Sequence, residues 1–205
     1  MIDFEDDHLA GVAPEHHDLF PENATLADML DMYHGHSDSQ AADSHVPKKN
    51  LLLVVEDSPP IALLTRMRVK KLLPEFEVAM FDRAEDLIVF AATQANAIER
   101  TAAIITDINL PMMTGTNLVR VLNGREAHGL ALPAEAVNAL RWKPMFLHSD
   151  SRPDHPHIQH VMKKGYAHGF LPKLPDSKTF TAIFRRGLLR ALMAKVSTRD
   201  GKKSQ

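Results

Sequence analysis

Residues 50–196 are predicted to form a doubly wound α/β domain, a five-stranded parallel sheet of (βα)5 order with helices on both faces. Three observations predict it. Short apolar runs alternate with longer amphipathic stretches, the pattern of strands buried on both faces and joined by crossover helices. Pro and Gly punctuate the amphipathic stretches where helices should stop. Four of the apolar runs end on polar residues able to do chemistry: Glu56-Asp57, Asp107, Ser149 and Lys173. In such a sheet the carboxyl ends of the strands line the ligand crevice, so these groups are expected to converge there.

The elements follow in order. LLLVV predicts a strand over 50–56, and the next stretch a helix over 59–73, stopped by Pro74, whose ring cannot continue it. FEVAMF predicts a strand over 76–81 that alternates only partly, as suits a strand near an edge. A helix over 84–98, a strand over 102–107 carrying AAIIT, and a helix over 115–123 come next. MFLHS gives a strand over 144–149. A helix over 154–164 is followed by Gly165, a residue that accepts the left-handed conformation of a helix end. GFLP gives a strand over 168–173, and a helix over 177–196 completes the series. Residues 124–143 are surplus to the alternation. They read as an insertion with an extra helix over 134–141, a surface connection packed by Leu140 and Trp142.

A chain of 205 residues holds one core of ordinary domain size and an extension. Its net charge of −2 conceals two unlike parts. Residues 1–49 carry eleven Asp and Glu against Lys48 and Lys49, a net −9, which leaves +7 for residues 50–205. The extension also holds six of the twelve histidines and few large aliphatics, so it is expected to be largely disordered. One short helix is predicted inside it, where Leu26, Met29, Leu30 and Tyr33 share a face and Thr25 with Asp28 forms a first-turn cap. The absence of cysteine excludes disulfides, zinc-thiolate sites and thiol catalysis. No apolar run is long enough to span a bilayer and the start MIDFEDD lacks a basic flank, so a cytoplasmic protein without a membrane partner is expected.

The crevice chemistry is specific. Three carboxylates crowded together repel unless a cation joins them, and oxygen donors suit a hard divalent ion, with Mg²⁺ the expected cofactor. Lys173 would add a fixed positive charge.

With LLLVVED, IITDINLPMMTG, PMFLHS and YAHGFLPK in this order around the alternating elements, residues 50–196 resemble the response-regulator receiver domain, the CheY-like phosphoacceptor of two-component signalling with a flavodoxin-like (βα)5 fold. The resemblance implies a phosphorylation-dependent switch rather than an enzyme. Asp107 would take a phosphoryl group from phosphohistidine on a histidine kinase or histidine phosphotransfer protein. Asp57 would bind Mg²⁺ directly beside Asp107, Glu56 through water and Asn109 through its backbone carbonyl. Ser149 would be the switch hydroxyl, Phe170 the aromatic whose rotamer reports it, and Lys173 the cation that reads the phosphate. The output face would be made by helix 154–164, strand 168–173 and helix 177–196, contacting an output protein or a second copy of the chain. A stand-alone receiver is expected, since only the basic tail 197–205 follows the last helix. The acidic extension would fold back to mask the output face.

Three departures from the family pattern stand out. Glu56 replaces the more usual Asp, Asp150 follows the switch hydroxyl where a small residue is usual, and Leu174 stands between Lys173 and Pro175 where proline commonly follows the lysine directly. A cis bond after Lys173 is therefore not expected. These departures support a second reading, a receiver-like adaptor or scaffold that is seldom phosphorylated. His155, His157 and His160 read as solvated helix residues, with no fourth ligand for a metal. Arg185, Arg186, Arg190 and Lys195 make the last helix basic, but no aromatic platform accompanies them, so nucleic acid is not an expected partner.

Overall fold

A computed structural model describes residues 49–124 and 133–200. The helix and the disorder expected in the extension, the fold-back of that extension, the centre of the insertion and the end of the basic tail lie outside the described residues.

The sheet has five parallel strands, β1 (Asn50–Val55), β2 (Phe76–Phe81), β3 (Thr101–Asp107), β4 (Met145–Ser149) and β5 (Gly169–Pro172). Their order in space is β2-β1-β3-β4-β5. The three central strands are the most apolar runs, and nearly all their residues are buried. β2 is an edge strand with only Phe76 fully buried, as its partial alternation predicts. The helices are α1 (Pro59–Leu72), α2 (Ala84–Thr93), α3 (Ala95–Glu99), α4 (Gly115–Leu122), α5 (Ala134–Leu140), α6 (Pro156–Lys163) and α7 (Ser177–Asp200). Among the described residues no helix is long and apolar enough to cross a membrane.

The structure departs from the sequence reading at four places. The helix expected over 84–98 is two, because Gln94 leaves the helical region at φ −121° and ψ 58°. The Thr93 hydroxyl donates to the Val89 and Phe90 carbonyls, and the Gln94 N–H to that of Phe90, so the freed helix end is satisfied locally. α6 starts at Pro156 rather than 154, since proline is suited to a first helical turn. α7 continues past 196 to Asp200, no Gly or Pro occurring between 196 and Gly201. In the insertion Leu140 is buried, but Trp142 is 69 % exposed, its ring covered in part by the Arg141 guanidinium at 5.2 Å.

Two faces of the sheet carry separate packing. On one, Phe146 of β4 stacks on Phe184 of α7 at 4.8 Å between ring centroids, and Phe184 meets Phe76 edge-on at 5.8 Å. Gly187 allows this approach, because a Cβ there would run into the Phe146 ring. The other face is built from α2, α4, α5 and α6, with Leu87, Leu118, Leu122 and Leu140 fully buried. The insertion helix α5 thus widens the helical layer against α2 and α4.

Candidate functional site

The carboxyl ends of β1, β3, β4 and β5 bring the sequence-predicted groups together. Glu56 and Asp57 follow β1, Asp107 ends β3, Ser149 ends β4 and Lys173 follows β5. Oxygens of Glu56, Asp57 and Asp107 all lie within 4.8 Å of one another, Asp57 exposed and the other two buried. Among the described residues this is the one group of acids and histidines with the spacing of a metal site. All-oxygen donors of net negative charge fit a hard divalent cation.

Lys173 holds the buried acids. Its Nζ lies 2.8 Å from Asp107 Oδ2 and 2.9 Å from Glu56 Oε1, as two charge-assisted hydrogen bonds. Burial pulls the Lys173 ammonium down, but Asp107 and Glu56 outweigh it and hold it above its ordinary value. For Glu56, burial pushes upward and is outweighed by His148 and Lys173, which keep the carboxyl below its ordinary value. Both groups are therefore charged near neutral pH.

Backbone donors complete the arrangement. Ser58 N–H points at Glu56 Oε1 at 3.4 Å, and Asn109 N–H donates to Asp107 Oδ1 at 3.3 Å. Asn109 thus enters the site through its N–H. Gly115, the glycine of LPMMTG, donates its N–H to the Ile108 carbonyl. A Cβ at Gly115 would fall on the Asp107 carbonyl oxygen, so this residue lets α4 start close under the acid. Met112 takes up the turn between them with φ 60°.

Ser149 is buried, and its Oγ accepts from Ser151 N–H at 3.1 Å while its carbonyl accepts from Lys173 N–H at 3.2 Å. The loop after β4 is thereby tied to the lysine loop. Asp150 is exposed. Phe170 is half-buried on β5 and lines a groove of about 330 Å³ with Met162, Ile183, Arg186 and Arg190. Among the described residues no peptide bond is cis, as expected after Lys173. His155, His157 and His160 are exposed, with the first two rings stacked at 5.6 Å.

Two site contacts escaped the sequence reading. Arg68 of α1 donates to the Lys173 carbonyl at 3.0 Å and lies 5.7 Å from the Phe180 ring, pinning the lysine loop between α1 and α7. No local pattern marks it, since Arg68 is one of several basic residues along α1. The second contact is between His148 Nδ1 and Glu56 Oε2, 3.5 Å apart with both side chains fully buried. Here a signal existed: a histidine inside the apolar run MFLHS.

No family model matches the chain, and no curated protein matches it. Solved structures do. The chain is similar to the chemotaxis response regulator CheY4 of Vibrio cholerae, with 18 % identity, a TM-score of 0.51, and 68 % of this chain and 99 % of that one covered. It is similar to the signal receiver domain of an HD domain-containing protein from Pseudomonas fluorescens Pf-5, with 16 % identity, a TM-score of 0.51, and 70 % and 98 % covered. The receiver domain of a signal transduction histidine kinase from Syntrophus aciditrophicus gives 20 % identity, a TM-score of 0.50, and 71 % and 91 % covered. With five parallel strands in the order β2-β1-β3-β4-β5 and an acidic cluster at their carboxyl ends, the chain has the fold of CheY-like signal receiver domains.

Proposed function

We propose that the chain is a phosphorylation-dependent signalling switch of a two-component or phosphorelay system, with Asp107 as phosphoacceptor. One observation carries this reading: a buried Asp107 lies within 4.8 Å of two further carboxylates and 2.8 Å from a lysine ammonium, at the mouth of a receiver fold. An Asp107 oxygen attacks the phosphorus of a phosphohistidine on a kinase or phosphotransfer protein. The P–N bond breaks, the imidazole leaves and takes a proton from water, and an acyl phosphate forms on Asp107. Asp57 and Asp107 would hold a Mg²⁺ ion, with Glu56 acting through water and Asn109 through its backbone carbonyl, and the ion would supply charge neutralisation.

The chain's own groups do the rest. Lys173 already bridges Asp107 and Glu56, so a phosphoryl group on Asp107 offers its ammonium new oxygens and changes the lysine's partners. Ser149 turns its hydroxyl to the phosphoryl oxygen, and the Ser149–Lys173 backbone bond carries the change to β5 and the Phe170 groove. Output proteins, or a second copy, dock on the α6, β5 and α7 face. The chain acts as a phosphoacceptor that assists its own phosphorylation and hydrolysis, and not as an enzyme on a separate substrate.

Intact mass after treatment with acetyl phosphate and Mg²⁺ tests the proposal. One phosphoryl adduct is expected, absent with EDTA and absent in Asp107→Asn. No adduct, together with no spectral response to beryllofluoride, would leave a receiver-shaped adaptor instead.

A further inference from the structure

An apolar residue would be the ordinary occupant of the place that His148 takes. It lies in the run MFLHS on β4, fully buried, and pairs in register with Asp107 of β3 on one side and Leu171 of β5 on the other. Neither ring nitrogen makes a hydrogen bond of good geometry, a costly condition for a buried polar side chain. The group that faces it is the Glu56 carboxylate, whose Oε2 is also buried and otherwise unpartnered, 3.5 Å from Nδ1.

β1 and β4 are not neighbours, since β3 runs between them. The two long side chains meet across β3 at the level of Asp107. The Glu56 carboxylate is in this way divided, with Oε1 on Lys173 Nζ at 2.9 Å and Oε2 toward His148. A carboxylate held at one oxygen turns freely about its last torsion, which has no sharp minima. With Nδ1 facing the second oxygen at 3.5 Å, one orientation is favoured.

We infer that His148 is a positioning residue of the acidic site: it fixes the Glu56 carboxylate in the orientation that presents it to Lys173 and to a bound divalent cation. The inference deepens the proposed switch and rests on its cation site. Partners one step removed from a metal commonly set the pose of the groups that hold it. An aspartate at position 56, shorter by one methylene, would not span β3 to His148. The length of Glu56 and the histidine thus belong together. The same contact ties β4 to β1 one residue before the Ser149 hydroxyl.

Mg²⁺ affinity of the full chain, measured by isothermal titration calorimetry, tests this independently of phosphorylation. His148→Leu is expected to weaken binding roughly tenfold or more. His148→Asn, whose side-chain amide nitrogen falls near the place of Nδ1, is expected to recover most of the loss. In a Glu56→Asp background the His148→Leu exchange should change affinity by less than about twofold. Circular dichroism checks that each variant is folded, and His148→Phe, which keeps a ring of similar shape, replaces the Leu variant if that one is not. Equal affinity of His148→Leu and the parent overturns the inference, as does an Asn variant that binds no better than the Leu variant, since packing alone would then explain the histidine. A parent chain that binds no Mg²⁺ at millimolar concentration overturns the cation site itself and the inference with it.

Discussion

Glu56 and Lys173 are linked by one hydrogen bond across 117 positions of sequence, and their ionisation sets how the site responds to pH. The Glu56 carboxyl lies below its ordinary value of 4.5 in the fold, because His148 and Lys173 outweigh the burial that opposes them. The unfolded chain therefore binds a proton first as pH falls. Stability from this group is present above pH 4.5 and is lost as pH drops through the lower folded value. Urea midpoints measured from pH 6 down to about pH 3 are expected to fall in the parent and to fall less steeply in Glu56→Gln. Lys173 lies above 10.5, so its contribution is present below that pH and is lost as pH rises through the folded value. Lys173→Met is expected to retain the Asp107 phosphoryl adduct by intact mass. It should lose the beryllofluoride-induced shifts of the Ser149 and Ser151 amides, because no ammonium then follows the phosphate.

At the scale of elements, the site depends on how strand ends and helix starts are tied. Arg68 holds the loop after β5 from α1, and Gly115 lets α4 begin against the Asp107 carbonyl. At the opposite end of the sheet, His168 pairs the start of β5 with β4. Its N–H donates to the Met145 carbonyl at 2.7 Å, and its Nδ1 accepts from Met145 N–H at 3.1 Å. A protonated Nδ1 could not accept that bond. Burial pulls His168 below its ordinary 6.5, and Arg190 adds to the effect. A base depressed by folding stabilises above the unfolded value, so this stability is present above pH 6.5 and is lost as pH falls through the folded value. His168→Asn, whose amide oxygen keeps an acceptor for Met145 N–H, is expected to flatten the change in thermal midpoint between pH 7 and about pH 5. An unchanged slope would place the pH dependence elsewhere.

For the whole molecule, a cation that binds the folded acidic site and not the unfolded chain must stabilise the fold. At a hundredfold excess over its dissociation constant, Mg²⁺ is expected to add about 2.7 kcal/mol. That raises the thermal midpoint by several degrees, a rise reversed by EDTA and lost in Asp57→Asn. The order of the elements and the polar strand ends were legible from sequence, because buried parallel strands need continuous apolar runs and the crevice lies at their carboxyl ends. The runs MFLHS and GFLP, read as parallel strands, led to the expectation that Ser149 and Lys173 join Asp107 at one crevice. The break at Gln94 was not legible, since the helix-forming run AEDLIVFAATQANAIE passes through it and the turn is satisfied by hydrogen bonds that only the folded backbone forms. Nor was the exposure of Trp142, which depends on what lies over the insertion and not on the residue's own hydrophobicity. Sequence by itself determined the fold class, the edge place of β2 and the five chemical groups of the crevice, since each is written in local periodicity or in the residue at a strand end. Tertiary structure alone decided that Arg68 aims the lysine loop and that His148 reaches Glu56 across β3, because both contacts join residues far apart in the chain and depend on strand order and side-chain reach.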